Sequence, residues 1–464
     1  MRVTMYFLLW FFLLILGADC VEARVIDVKS IYNKAYLIDD DNRLWGSGHI
    51  IYGDAIEPNI VGSDGDKYLT RPKIIANDVK KFCFLADTNV ILKNDDTLLT
   101  YGKVFASGEI AYGLGQGDIK ENPIPTVVLT DVKDFGMTIG PSVVALKNDG
   151  TLWAWGNIAL IIGGDGSQNI SEPICIMSGV EEIYVANGSL YIHKANGEWL
   201  ACYYEDMYLP PIEFKFSFEP KVMWSSSDVT FALDENNNLW GWGCYSSETE
   251  GKEHPLEKYT PVMIESNVKA AERIRGEMET DKDFIILKND GTLLLKDASE
   301  SEKIADNIKG FRRYRYFYNP NDDPVGESKN DYMYLDYNGD LFFMPDYKSG
   351  KRELILTDVR DFVSDQFDYA AEHMFVEKND DSLWVMGYSQ GSLGIGRPMR
   401  DVEIPMQNLY NVETTSETIT EITTESITEV QKKTITESKT LYVLSTIAGF
   451  GGILFCIYKV RKKE

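Results

Sequence analysis

Between about residue 25 and residue 409 the chain repeats one short pattern: an apolar run, a few polar residues rich in Asn, Asp and Gly, then a second apolar run with Leu and an aromatic. The clearest copy is Ala145-Leu-Lys-Asn-Asp-Gly-Thr-Leu-Trp-Ala-Trp-Gly156. Close copies run Ile91 to Gly102, Ala232 to Gly243 and Ile286 to Leu295, with further ones at Leu37 to Gly48, Tyr334 to Phe343 and Phe375 to Gly387. A degenerate copy at Tyr191 to Cys202 keeps the turn as Ala195-Asn196-Gly197. Asn, Asp and Gly accept the left-handed backbone that tight turns need, so each copy predicts a β-hairpin.

The leucine after the turn recurs at 44, 98, 152, 239, 293, 341 and 383, with Trp199 in the missing slot, a spacing of about 48 residues. A Val or Ile after Asp, Asn or Gly opens the units, as in Asp78-Val79, Asp131-Val132, Gly179-Val180, Asn267-Val268 and Asp358-Val359. Proline-led strands close many of them, as in Arg71-Pro72-Lys73-Ile74 and Glu172-Pro173-Ile174. Opening strand, hairpin and closing strand make four strands per unit. The fold class predicted is all-β, a β-propeller of seven or eight four-stranded blades, in which stacking buries both faces of each sheet.

The two ends set a compartment. Residues 1–23 read as a signal peptide: Arg2, the apolar run Tyr6 to Leu16, and Val21-Glu22-Ala23 as a cleavage site. Residues 24–411 are the propeller. Residues 412–440, with Thr-Ile-Thr-Glu or Ser-Ile-Thr-Glu every eight residues, are expected to form an extended stalk. Residues 441–458 are apolar and long enough to cross a bilayer as one helix. Lys459, Arg461, Lys462 and Lys463 then place the 459–464 tail in the cytoplasm. The expected location is the cell membrane, single-pass, with an extracellular ectodomain.

Composition narrows the chemistry. The chain of 464 residues carries a formal charge of −26, which argues against nucleic acid as a partner. Four histidines make a histidine-rich metal centre improbable, and no cofactor or metal is expected. Of six cysteines, Cys83, Cys175, Cys202 and Cys244 fall in the ectodomain, spaced too widely for a metal knuckle; they read as single thiols rather than a disulfide framework. Asn319-Pro-Asn-Asp-Asp-Pro324 offers hard oxygen ligands but lacks the spacing of a calcium loop.

The hairpin motif, together with Gly113-Leu-Gly-Gln-Gly117 and Gly391-Ser-Leu-Gly-Ile-Gly396, resembles the regulator-of-chromosome-condensation repeat. The likeness covers about 25–409 and is strongest to the bacterial versions of the repeat, here in a surface-anchored chain. It implies a propeller, typically seven-bladed in that family, where this chain shows eight hairpins. It also implies a binding scaffold, since a secreted bacterial relative clamps β-lactamases on one face. The glycine motifs read as close-packed turns, because no helix follows them to make a phosphate site.

The functional expectation is therefore a non-enzymatic, membrane-tethered recognition module for an extracellular protein. A polysaccharide-binding surface protein and a carboxylate-dependent enzyme on a propeller are the alternatives. The stretches that depart most from the repeat, 49–68, 202–218, 246–259 and 314–331, are the candidate contact loops. Within them Tyr203, Tyr204, Tyr208, Tyr314 and Tyr316 offer ring surface, and Arg312, Arg313 and Arg315 supply the dense basic patch for an acidic partner. The competing reading of these aromatics is packing within irregular blades.

Overall fold

Each predicted hairpin bends through four residues, and one of them takes left-handed φ. That residue is Asn42, Asp96, Gly150, Gly197, Asn237, Gly291, Gly339 and Asp381 in turn, with φ between 58° and 87°. In the computed structural model the turn at 94–97 is closed by Lys93 N–H donating to Thr97 O at 2.9 Å and Asp96 N–H to Lys93 O at 3.1 Å. A Cβ at Gly150 meets Val180 O at 3.2 Å, so a left-handed φ and a close neighbour both favour glycine there. The structure describes residues 24–31, 34–48, 60–61, 67–85, 87–104, 106–107, 110–111, 113–138, 142–163, 169–186, 188–203, 210–226, 229–243, 256, 259–274, 284–296, 300–313, 332–344, 352–364, 373–388, 401–407, 442–449 and 452–459.

Two compact units divide the chain, 1–411 and 412–464. In the first, the described residues form eight four-stranded antiparallel sheets in sequence order, blade one adding the short strand Ile60–Val61. The blades span 25–76, 79–129, 132–177, 180–214, 220–265, 268–305, 308–356 and 359–407. In blade two the strands are Val79–Leu85, Thr88–Lys93, Leu98–Lys103 and Glu121–Leu129. First strands touch between blades two and three, three and four, four and five, and seven and eight, and that of blade one touches that of blade eight, so the first strand is innermost and the ring is closed. Eight blades settle the alternative left open by the repeat count.

The core lies between blades. Val90, Leu92 and Leu98 of blade two pack with Val132, Phe135, Val143 and Trp155 of blade three. Val28 and Leu37 of blade one join Met333, Val359, Phe362 and Val385 of blades seven and eight, which closes the circle with the same chemistry. The recurrent leucines are all buried, each paired across its hairpin with the last inward residue of the second strand, as in Leu92↔Leu98 and Leu146↔Leu152. Proline in the outermost strands, where no further strand pairs, costs no ladder hydrogen bond. Gly113 to Gly117 is a turn: Gly113 O accepts from Trp155 Nε1 at 3.0 Å, and a Cβ at Gly115 meets that ring at 2.9 Å.

In the second unit the described residues are two strands, Tyr442–Gly449 and Gly452–Lys459, paired from Tyr442↔Lys459 to Gly449↔Gly452. The helix expected over 441–458 is not shown; the described residues there pair as a hairpin. β-Branched and aromatic residues favour strands, and the glycines at 449, 451 and 452 weaken a helix in mid-segment. Among the described residues no helix is long and apolar enough to cross a membrane. The signal segment, the stalk, Cys244 and the 319–324 loop lie outside the described residues.

Candidate functional site

Antiparallel order sorts the connections onto two faces. The hairpins between second and third strands are four residues long in every blade, from 40–43 to 379–382. They share one face with the blade-to-blade links, which are two residues long (77–78, 130–131, 178–179, 266–267, 306–307, 357–358) except at 215–219. On this turn face the last residue of each two-residue joint is again left-handed: Asp78, Asp131, Gly179, Asn267, Asn307 and Asp358. The opposite, loop face takes the connections between third and fourth strands, from 297–300 at the shortest to 243–261 at the longest, and the first-to-second connections, which reach 314–331 in blade seven. Of the four stretches singled out in the sequence, 246–259 and 314–331 fall within loop-face connections. The stretch 49–68 runs from one into the strand Lys67–Ala76, and 202–218 crosses the strand Ile212–Phe214 to end in the turn-face link 215–219.

Tyr203, at the loop-face end of blade four, is 3% exposed and packs on Tyr191, Phe214 and Tyr259, with ring centroids 6.0, 6.4 and 4.6 Å away. The structure corrects it from a surface contact to a core residue, because blade four replaces part of its aliphatic core with aromatics. Arg312 and Arg313 end the first strand of blade seven (Ile308–Arg313), and half-buried Arg312 donates from Nη1 to Phe311 O at 2.8 Å. Blades four and seven stand three apart, so the tyrosine and arginine groups are two patches of one face rather than a single site. Tyr204, Tyr208, Tyr314, Arg315 and Tyr316 lie outside the described residues.

The turn face carries a constellation that the sequence reading missed. Every first strand has a one-residue bulge at its second position, as the jump from Val79↔Lys93 to Lys81↔Leu92 shows. The bulged residues are Ile26, Lys80, Lys133, Glu181, Lys221, Lys269, Lys309 and Arg360. Four lysines donate to the carbonyl of the next blade's bulged residue: Lys80 to Lys133 O (3.4 Å), Lys133 to Glu181 O (2.8 Å), Lys269 to Lys309 O (2.7 Å), and Lys309 to Arg360 O. Beneath this relay runs a main-chain latch. Val79, Val132, Val180, Val268, Ile308 and Val359 each donate N–H to the preceding blade's left-handed hairpin residue, at 2.8–2.9 Å. The signal was present in the sequence as a basic residue after five of the opening Val or Ile residues, at 80, 133, 269, 309 and 360.

Four joints carry no such relay bond among the described residues, and the one between blades four and five departs furthest. Between blades four and five the bulged residue is acidic Glu181, the link is longer, and the opening residue, Pro220, has no N–H to give. Aromatic packing holds the joint instead: Trp199, Phe214, Phe216 and Trp242 interlock with centroids 4.9–5.7 Å apart, and Trp242 Nε1 donates to Tyr191 Oη at 2.9 Å. On the other side of blade four a cleft of about 430 Å³ is lined by residues of blades two to four, Lys80, Lys81, Lys133, Asp134, Glu181, Glu182 and Tyr184 among them. Lys80 pairs with Asp96 at 3.1 Å and Lys81 with Asp134 at 2.7 Å. Tyr184 donates to Glu182 Oε2 at 3.0 Å; its phenol is pushed up by burial first, then by Glu182, Glu219 and Asp134. The Glu181 carboxylate has no hydrogen bond or ion pair with any described residue.

Cys83, Cys175 and Cys202 are free thiols, and burial pushes Cys202 up to about 12, far from a reactive thiolate. Among the described residues no group of three or more His, Cys, Asp or Glu is placed to hold a metal ion.

No protein-family model and no curated protein matches the chain. Solved structures do. Yeast RCC1 (Prp20), crystallised with Kap60, is 12% identical over 82% of this chain and 74% of its own, with a TM-score of 0.38. Human WBSCR16 is 14% identical over 82% and 94%, with a TM-score of 0.46. Prp20p from Saccharomyces cerevisiae, studied for its binding to Gsp1p and histones, is 16% identical over 82% and 76%, with a TM-score of 0.31. The neighbours of this eight-bladed ring thus include RCC1, whose repeat the hairpins resemble; at such identities the likeness is one of fold.

Proposed function

We propose that the chain is a non-enzymatic recognition module that grips an extracellular protein partner through the loop face of its propeller. The observation that carries this reading is the segregation of lengths: turn-face hairpins are constant, while loop-face connections vary from blade to blade. A rigid ring that presents unequal loops on one side is how scaffolds diversify contacts at little cost to folding. The basic run at Arg312 to Arg315 and the tyrosines at 204, 208, 314 and 316 belong to those loops or their edges. They are proposed as contact residues, Tyr203 excepted.

Tethering is part of the proposal and rests on the sequence. Residues 1–23 would direct export, and the apolar 441–458 segment with its basic tail would anchor the chain in the cell membrane. A lone two-stranded hairpin leaves edge groups unpaired in hydrocarbon, so in lipid that segment would bond its backbone internally as a helix. Cells carrying an epitope tag near residue 24 and another after residue 464 test the topology. The first tag should be accessible to antibody without permeabilisation and the second only with it; the reverse pattern overturns the anchor.

The recognition itself is tested by replacing 246–255 or 315–330 with short Gly/Ser segments in the full chain and cross-linking intact cells. Loss of one partner band with unchanged thermal melting supports the loop face. Partner capture that survives both replacements removes it, and retention on polysaccharide alone moves the function to glycan binding.

A further inference from the structure

Two joints of the ring differ from the other six, and they lie opposite one another. The main-chain latch joins blades one to two, two to three and three to four, and again five to six, six to seven and seven to eight. It is missing between four and five, where Pro220 has no N–H to give. It is missing again between eight and one, where no bond runs from Val25 N–H to Asp381 O among the described residues. Side chains repeat the division. The two latched joints without a lysine relay carry ion pairs instead. Lys34 pairs with Asp87 at 2.8 Å between blades one and two, and Lys288 and Lys296 pair with Glu265 at 2.9 and 3.1 Å between five and six. In blade eight the basic bulged residue turns back: Arg360 donates from Nε to Glu377 Oε2 at 3.0 Å and pairs with Asp381, both of its own blade.

We infer that the ring is two latched half-rings, blades one to four and five to eight, which part at the joint between blades eight and one and pivot at that between four and five. The first joint is a gate. No link of the propeller chain spans it, and no blade mixes strands from the two ends of the propeller. It is closed by apolar packing, with Val28, Ala35 and Leu37 of blade one in one cluster with Leu383 and Val385 of blade eight. Leu383 and Val385 hold the places that Leu152 and Ala154 hold in blade three, facing the next blade. The second joint is a hinge. Its link has five residues, 215–219, where six others have two, and Phe216 and Phe218 of that link lie on Trp242 and Trp240. Packed rings tolerate a change of angle better than an aligned hydrogen bond does, and a few link residues can absorb the change in φ and ψ. Within a half-ring every joint must instead break an aligned N–H···O bond to open. Opening draws the loops of one half away from those of the other, so a partner touching both halves favours the shut state. The device stands whether or not the loop-face reading does.

The test is native-state thiol labelling of the detergent-solubilised full chain with N-ethylmaleimide, read site by site through peptide masses. Ala35→Cys and Val385→Cys report the gate from its two sides, Ala145→Cys the joint between blades two and three, and Ala271→Cys that between five and six. All four positions are at most 2% exposed, so labelling requires the joint to open. Cys202, buried between blades three and four, is a built-in slow reference. The gate thiols should label at least about tenfold faster than those at latched joints, because the gate lacks both a latch and a chain link. Removing the hinge packing with Phe216→Ala and Phe218→Ala should speed labelling at Ala35→Cys further and leave Ala145→Cys unchanged. Rates equal at all joints to within about twofold, or fastest labelling at a latched joint, overturn the gate. Gate labelling unmoved by the two phenylalanine substitutions, or raised together with that of Ala145→Cys, overturns the hinge.

Discussion

The two faces of the ring are made from the same eight units and obey different rules. On the turn face every hairpin has four residues, one of them left-handed, and in six of the eight its carbonyl latches the next blade. On the loop face the same strands are joined by connections of unequal length. The difference lies in what the backbone must do. A left-handed residue, a bulge and an inter-blade hydrogen bond fix length and residue type together, so no insertion is tolerated without losing all three. A loop-face connection has only to return the chain to the sheet, and its closure entropy grows slowly with length. Regularity marks the face that assembles the ring, and irregularity the face free to bind.

The largest expected effect comes from breaking a joint below the turn face. Trp155 is fully buried between blades two and three and also donates to Gly113 O. Trp155→Ala should cost about 3–5 kcal/mol, from a cavity and an unpaired carbonyl, read as a lower denaturant midpoint. Next comes the latch residue. Gly150→Val forces a β-branched residue into φ +80° against Val180 O and should cost about 1–3 kcal/mol. At Asn237, which holds φ +58° in the same place, Asn237→Gly should change stability by only a few tenths of a kcal/mol. If both substitutions prove neutral, the turn face does not carry the ring.

Within the turn face, two hairpin chemistries reach one geometry. In blade three the Asp149 carboxylate accepts from Thr151 N–H at 3.0 Å, Thr151 Oγ1 accepts from Trp153 Nε1 at 2.9 Å, and the Lys147 ammonium sits 5.4 Å over the Trp153 ring. In blade five Asp234 takes the lysine's position: it accepts from Asn236 and Asn238 N–H at 2.9 Å and from Trp240 Nε1 at 3.1 Å. Burial opposes ionisation of Asp234, yet these hydrogen bonds outweigh it and hold the carboxyl below the usual aspartate range. A depressed folded pKa gives stability that is present above the unfolded value and is lost as pH falls through the folded one. Asp234→Asn should therefore flatten the acid side of the stability–pH curve and cost about 1 kcal/mol at neutral pH. Asp149→Asn, at an exposed turn, should move the acid side less. Equal slopes for the two variants would mean that burial at Asp234 carries no weight.

Most of the ring was legible in the sequence because the backbone demands particular residue types at particular places. The Asn-Asp-Gly turns, the buried leucines and the Val after each Asp, Asn or Gly are all consequences of left-handed φ and inter-blade packing. Residues whose role depends on a neighbouring blade were not legible. Lys133 and Lys269 did not stand out in the sequence, because only the bulge places them over the next carbonyl. Tyr203 read as surface because its loop departs from the repeat, whereas blade four uses that departure to build an aromatic core with Tyr191 and Phe214. The 441–458 segment carries two signals, apolar length that suits a helix in a bilayer and β-branched content around glycines that suits strands.

Smaller effects separate the relay from the loops. Lys269→Met keeps the aliphatic stem and deletes one hydrogen bond to Lys309 O, so it should cost roughly 0.5–1 kcal/mol, less in high salt because the group is exposed. Lengthening the 297–300 connection of blade six by four Gly/Ser residues acts on the loop face of the same blade. Extending a short surface loop so modestly should cost no more than about 0.5 kcal/mol. The pair is informative because both changes sit in blade six and leave its core alone. Thermal melting of the two proteins in low and high salt decides between them. A salt-sensitive loss for Lys269→Met with a salt-insensitive, smaller one for the insertion assigns cohesion to the turn face. A larger loss from the insertion would mean that the loop face also holds the ring, and that its irregularity is structural before it is available for binding.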